Sequence, residues 1–235
     1  MVLSLGRVRL ASHCAWLALA LCFAAASGGC STTADDDTPA IRGEQVLPPP
    51  APLGTASLDQ ALSARRSIRT YDGKVPSTEE LSRMLWAAQG ITDGGGHRTA
   101  PSAGALYPLE LYVLSAQGVF HYVPAGHKLQ QLDLPDIRED VAEAALGQDV
   151  VRQAPMLVVV TGVISRTRAK YGDRAERYVA LEVGHASQNL LLEATSLGLG
   201  ARTVGAFEDE ALRSALRLPS GTFPYYILCI GRPAP

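Results

Sequence analysis

Three observations make the sequence an α+β fold. The run "MLVVVTGVI" (156–164), following Pro155, is apolar throughout, as a central strand covered on both faces must be. The segments "LELYVL" (109–114) and "GVFHYV" (118–123) stand close enough to form a hairpin. Residues 174–197 then give one long helix, and strands and helices mix without a repeating βαβ unit.

At the N-terminus, Arg7 and Arg9 precede the apolar run "CAWLALALCFAAA" (14–26), then Ser27, Gly28, Gly29 and Cys30. This is the pattern of an export signal, and a run of thirteen is shorter than the ~20 residues that a permanent span needs. Residues 1–29 are therefore expected to be removed. Either a lipoprotein-type signal makes Cys30 the lipid-bearing first residue, anchoring the protein to a membrane outside the cytoplasm, or cleavage nearby gives ordinary secretion. Cys14 and Cys22 lie in the signal and only Cys229 remains in the folded part, so internal disulfides are excluded. Without Arg7 and Arg9, 19 basic residues face 23 acidic ones, a formal charge of −4 that gives no electrostatic reason to bind nucleic acid.

Residues 30–56, acidic and then rich in proline, read as a tether. The folded domain is expected over 57–235. Ser57 is placed to cap the helix "LDQALSARR", and Ser77 with Glu80 forms a capping box for a second helix whose stripe Leu81, Leu85, Ala88 ends at Gly90. A loop follows, "RTAPSAGALYP", almost bare of large side chains. After the hairpin, an amphipathic helix is predicted over 134–147, started by Pro135 and Asp136. A short strand at "ARTVG", a helix at "EDEALRSALR" and a last buried strand "YYILCI" (225–230) complete the order.

The chain has no HExxH, no CxxC pair, no phosphate loop of the G-x-x-x-x-G-K-[ST] type and no G-x-S-x-G elbow, and its histidines are not clustered, so a metal is not expected. What stands out is "RRSIR": Arg65, Arg66, Ser67 and Arg69 set three guanidiniums and a hydroxyl within five residues, enough to hold a phosphate. The alternative is that these cations merely offset a helix macrodipole. Arg232 in "GRP" is a second candidate for the same anion. With the bare loop and "VGAF" (204–207), these features fit a flat cofactor with a phosphate tail, such as a flavin mononucleotide.

The segments "LDQALSARRSIRTYDGKVPSTEELSRMLWAAQGIT", "RTAPSAGALYPLELYV", "KYGDRAERYVALEVGHASQNLLLEATSLGLGARTVGAF" and "YYILCIGRP" resemble, in order and spacing, the FMN-dependent nitroreductase superfamily, and within it the SagB/ThcOx branch of azoline dehydrogenases and peptide-modifying oxidases. The resemblance runs from about Leu47 to Pro233. It implies a nitroreductase-like FMN fold with a central mixed sheet flanked by helices, and an intertwined homodimer with two FMN sites at its interface. It also implies that Arg65, Arg66, Ser67 and Arg69 hold phosphate and ribityl oxygens and that Arg232 reaches the phosphate. Pro101, Ser102, Ala103 and Gly104 would lie along the ring from the other subunit, and Val204, Gly205 and Ala206 would face it. Many nitroreductases carry an acid at the position of Gly205; this chain does not. Gln188 and Asn189 match the branch's helix, or are polar residues facing a helix neighbour. Lys170 and Tyr171 fall where azoline dehydrogenases of the branch have a Lys-Tyr pair implicated in catalysis; the alternative is a solvated loop before the long helix.

The expected activity is hydride transfer between a small-molecule or peptide-derived substrate and flavin N5. An NAD(P)H-dependent nitro- or quinone-reductase and a flavin-binding, non-catalytic lipoprotein are the alternatives.

Overall fold

The computed structural model describes residues 37–51 and 56–235. The export signal, Cys30 and residues 31–36 and 52–55 of the expected tether lie outside the described residues. A seven-stranded sheet is built from β1 (Ile41–Val46), β2 (Leu109–Ser115), β3 (Gly118–Val123), β4 (Lys128–Leu132), β5 (Met156–Val163), β6 (Gly200–Val204) and β7 (Thr222–Gly231), in the order β1-β4-β3-β2-β5-β7-β6. Every pairing in it is antiparallel, which corrects the mixed sheet the sequence led us to expect; the parallel contact seen is an isolated bridge from Ser67 to Ala201.

β5 lies between β2 and β7, as its uninterrupted apolar sequence requires. Successive side chains on a strand point to opposite faces, so Met156, Val158 and Val160 join one core cluster while Leu157 and Val159 join the other. The first cluster is closed by helices α2 (Thr78–Gln89) and α6 (Ala175–Ser196), the second by α3 (Arg138–Ala144), α4 (Asp149–Gln153) and α7 (Asp209–Leu216). Two further helices, α1 (Leu58–Ala64) and α5 (Ile164–Tyr171), stand at the ends of the sheet's connections.

The predicted caps are present. Ser57 and Gln60 form a capping box on α1, Ser77 and Glu80 form one on α2, and Gly90 ends α2. The predicted helix over 134–147 is shorter: Asp136 accepts from the Arg138 N–H to start α3, and Leu146 and Gly147, both at positive φ, end it before α4 begins. The tether reading fails at β1, which pairs with β4 as an edge strand. Beyond β1 the chain stays pinned. Ser82 Oγ donates to the Pro48 carbonyl at 2.6 Å and contacts His127 Nε2 at 2.7 Å, while Arg83 Nη1 donates to the Pro50 carbonyl at 2.6 Å. Although Ser82, His127 and Tyr122 form a chain of short contacts, Ser82 is 1% exposed and its hydroxyl serves this strap.

Gly162, near the end of β5, sits where Val179 of α6 comes down tightly on the sheet. A Cβ there would meet Val179 Cγ1 at 2.6 Å and the Tyr225 ring at 3.0 Å. Both neighbours are held by the fold, so Gly162→Ala is expected to lower stability by about 1–3 kcal/mol, measured by urea unfolding.

Candidate functional site

The "RRSIR" segment leaves α1 as extended chain and runs along the edge of the sheet. Ile68 N–H donates to the Ala201 carbonyl at 3.2 Å, Asp72 N–H to the Arg232 carbonyl at 3.0 Å, and Ala234 N–H to the Thr70 carbonyl at 3.1 Å. These bonds draw the arginine cluster, β6 and the end of β7 together, so the structure brings Arg232 to the same edge as the cluster. Gly200 permits this approach, because a Cβ there would meet Ile68 at 2.7 Å.

Arg66 Nη1 donates to the Ser63 and Arg65 carbonyls at 2.8 and 2.9 Å, so part of one guanidinium does serve the helix C-terminus. Arg69 Nη1 donates to the Ser67 carbonyl at 3.3 Å. Among the described residues, no carboxylate pairs with Arg65, Arg66 or Arg69. Arg202 of β6, which the sequence reading missed, adds a fourth guanidinium without an acidic partner, close enough to Tyr71 to act on its phenol as Arg69 does. Its signal was position alone: β6 pairs beside Ser67. Arg232 differs, since its Nη2 pairs with Glu80 Oε1 at 2.8 Å, and Glu80 is also the acid of the α2 capping box.

The bare loop is the second half of the site. Gly104, Ala105 and Tyr107 all have positive φ, at 65°, 54° and 45°. For the two non-glycines this costs about 1–3 kcal/mol each and persists only where surroundings impose it. Here they do. Tyr107 N–H donates to Ser102 Oγ at 2.9 Å, Arg166 Nη1 of α5 donates to the Tyr107 carbonyl at 3.2 Å, and the Arg98 guanidinium stacks 4.5 Å from the Tyr107 ring centroid. Arg166 also pairs with Glu110, which contacts His121 at 2.7 Å; against the burial that would raise it, the His121 contact and the Arg166 guanidinium hold the Glu110 carboxyl below the usual range. Asn189 of α6 donates to the Thr99 carbonyl at 3.3 Å, so it serves the loop's approach, while Gln188 is exposed.

Lys170 and Tyr171 are the last residues of α5, not part of a loop. They meet the bare segment directly: a Cβ on Gly104 would lie 2.9 Å from both Lys170 Nζ and Tyr171 Oη. Tyr171 is half-buried, edge-on to Tyr178 with ring centroids 5.0 Å apart, and Lys170 is exposed. Pro101 and Gly104 are exposed, with Ser102 and Ala103 half-buried. Val204 is buried as β6 ends, whereas Gly205 and Ala206 are exposed; Gly205 backs onto the Tyr226 ring, where a Cβ would stand 3.2 Å away. No hydrogen bond or ion pair among the described residues joins the arginine cluster to residues 101–105 within one chain.

An antiparallel sheet with helices on both faces, an edge carrying guanidiniums without acidic partners and a separate strained loop under two polar side-chain tips define an α+β protein with an anion-binding edge. Residues 62–232 match the Nitroreductase family. A Methanocaldococcus jannaschii protein whose name places it among nitroreductases is 41% identical over 181 residues, covering 74% of this chain and 90% of its own length. The chain belongs to the Nitroreductase family and is an oxidoreductase. A crystal structure named for a nitroreductase of Ralstonia eutropha superposes with a TM-score of 0.75 at 30% identity, over 84% of this chain and 94% of that one. The Escherichia coli microcin B17-processing protein McbC is 25% identical over 167 residues, covering 66% of this chain and 61% of McbC. The NADPH:FMN oxidoreductase of Vibrio harveyi shares the fold, with a TM-score of 0.58 at 20% identity over 76% of this chain and 69% of that one.

Proposed function

We propose that this chain is an FMN-dependent dehydrogenase or oxidase of the SagB/ThcOx type, acting as a homodimer on a small-molecule or peptide-derived substrate. The observation that carries the reading is the meeting of Lys170 Nζ and Tyr171 Oη at Gly104, in the loop that the resemblance assigns to the flavin ring. The donor set fits the cofactor. Arg65, Arg66, Ser67 and Arg69, with Arg202 beside them, offer charge-assisted bonds to a phosphate and its neighbouring hydroxyls without first breaking an ion pair. Arg232 joins them by sharing Glu80 or releasing it. Exposed Gly205 and Ala206 on one side, and Pro101, Ser102, Ala103 and Gly104 from the other subunit, leave room for a flat ring.

Bound FMN supplies a two-electron acceptor whose N5 takes a hydride. The protein's own part is to place the carbon that gives up the hydride and to take the proton released from the atom beside it as the double bond between them forms; Tyr171 Oη or Lys170 Nζ, in its deprotonated form, would be the general base. The McbC likeness supports this branch, and a glycine at position 205, where many nitroreductases have an acid, agrees with it. In this reading the enzyme works outside the cytoplasm, anchored through Cys30.

The relative at 41% identity, with its nitroreductase name, favours a second reading, an NAD(P)H-dependent nitro- or quinone-reductase. One experiment separates the two. Purified protein is expected to carry or take up yellow FMN, and anaerobic NADPH is expected to leave it oxidised. Rapid bleaching by NADPH would favour the reductase, and failure to take up FMN would sink both.

A further inference from the structure

Beneath the bare loop lies a buried polar shelf that none of the roles above uses. Glu182 of α6 is 2% exposed and Gln89, the last residue of α2, is 1% exposed. Among the described residues, Glu182 Oε1 and Gln89 Nε2 find no hydrogen-bond partner, an acceptor and a donor both left open in the core. Gln89 Oε1 is engaged, accepting from Arg98 Nη1 at 2.6 Å. Arg98 in turn stacks on Tyr107, and its N–H donates to Tyr107 Oη at 3.3 Å. Ser102 closes the ring: its Oγ accepts from Tyr107 N–H, which leaves its own proton to face the Glu182 carboxyl.

Burial pushes the Glu182 carboxyl up to about 7, against the opposing pull of Ser102, Arg98 and Gln89. Arg98, from the segment before the loop, is the charge that acts on it; Glu110 of β2 and Arg166 of α5 act on Arg98 in turn. Protonated Glu182 sets an O–H donor among groups that are themselves mostly donors. Ionised, it accepts from Ser102 and Gln89 and attracts Arg98, so all three supports of the loop are drawn toward one acceptor.

We propose that Glu182 is a positioning residue for the flavin loop, its ionisation setting how firmly Ser102 to Tyr107 are held and thereby how well the loop accepts FMN. The inference rests on the FMN reading and adds a control that touches neither ring nor phosphate. It has a cost with the opposite sign. Between the usual carboxyl value of 4.5 and about 7 the folded state keeps a proton that the unfolded chain has released, so global stability falls as pH rises through that window.

The test uses the full chain and its Glu182→Gln variant, with FMN titrations and FMN-free thermal melts at about pH 5 to about pH 8, the range over which the group titrates. The FMN phosphate titrates near pH 6 and contributes equally to both proteins, so the difference between them isolates Glu182. Wild-type affinity is expected to rise with pH at least ~3-fold more than that of the variant. The melting advantage of Glu182→Gln is expected to grow from the acidic to the alkaline end. Parallel pH profiles in both measurements would overturn the proposal. Should Glu182→Gln fold poorly, Ser102→Ala keeps the carboxyl; it is expected still to lose stability as pH rises but to lose the extra pH dependence of FMN binding, and an unchanged FMN profile would count against the proposal. If neither protein binds FMN at any pH, the FMN reading and the loop's role in it fail, and the melts still report whether Glu182 titrates in the fold.

Discussion

An Arg66→Ala, Arg69→Ala double variant is expected to bind FMN at least ~100-fold more weakly than the native chain, about 2.7 kcal/mol, since each hydrogen bond to a charged group is worth about 1.5–3 kcal/mol. Its fold is expected to survive. Both side chains are exposed, and among the described residues their bonds go to the carbonyls of Ser63, Arg65 and Ser67. Losing the Arg66 contacts at the end of the seven-residue α1 costs about 0.5–1 kcal/mol, small beside the whole. The informative comparison is riboflavin, which lacks the phosphate. Fluorescence titration is expected to show its affinity falling far less on the double substitution, by no more than the ribityl hydroxyl contacts supply. An equal loss for FMN and riboflavin would mean that the cluster shapes the edge strand and does not hold the phosphate, and paired lysines at 66 and 69 are expected to restore charge but only part of the affinity, because they cannot bind bidentately.

The parts of this fold that could be read from sequence are those in which local chemistry and tertiary burial agree. Ser77, Glu80 and Gly90 bound α2 because each satisfies a helix end whatever surrounds it. β5 is legible because both its faces are buried. β1 was not: all six of its residues are exposed, so no alternation marks it, and it is held by backbone pairing with β4, by the Glu44 contacts to Lys128 and Gln130 at 2.7 and 2.8 Å, and by Arg42 with Asp133. α5 escaped notice because it follows β5 with no intervening turn residue and buries only Ile164 and Thr167.

The site divides in the same way. The arginines and the bare loop are unusual as local sequence and were found. Glu182 and Arg202 are ordinary residues made unusual by position. A signal for Glu182 existed, because it falls three residues after Val179 and four before Ala186, on the stripe that Val183 and Leu190 continue into the core. A glutamate on that stripe is a buried acid in need of a reason, and the loop above it supplies one.

That same stripe carries the largest expected loss of stability. Leu190 is 0% exposed and packs in the cluster that holds Met84 and Leu85 of α2, where α6 meets both its partner helix and the sheet. Leu190→Ala removes a side chain from the middle of that contact, and the neighbours are too constrained by the sheet to collapse into the space. Such truncations cost about 2–5 kcal/mol, set against the roughly 5–15 kcal/mol that holds a domain together. Urea unfolding is expected to show a lowered midpoint with an unchanged slope, since the surface exposed on unfolding barely alters. Leu181, on the opposite face of α6 and 52% exposed, is the control. Within a single chain its truncation is expected to cost less than about 0.5 kcal/mol. A loss at Leu181 approaching that at Leu190, growing with protein concentration, would show that a second copy covers this face in solution, as the proposed homodimer requires.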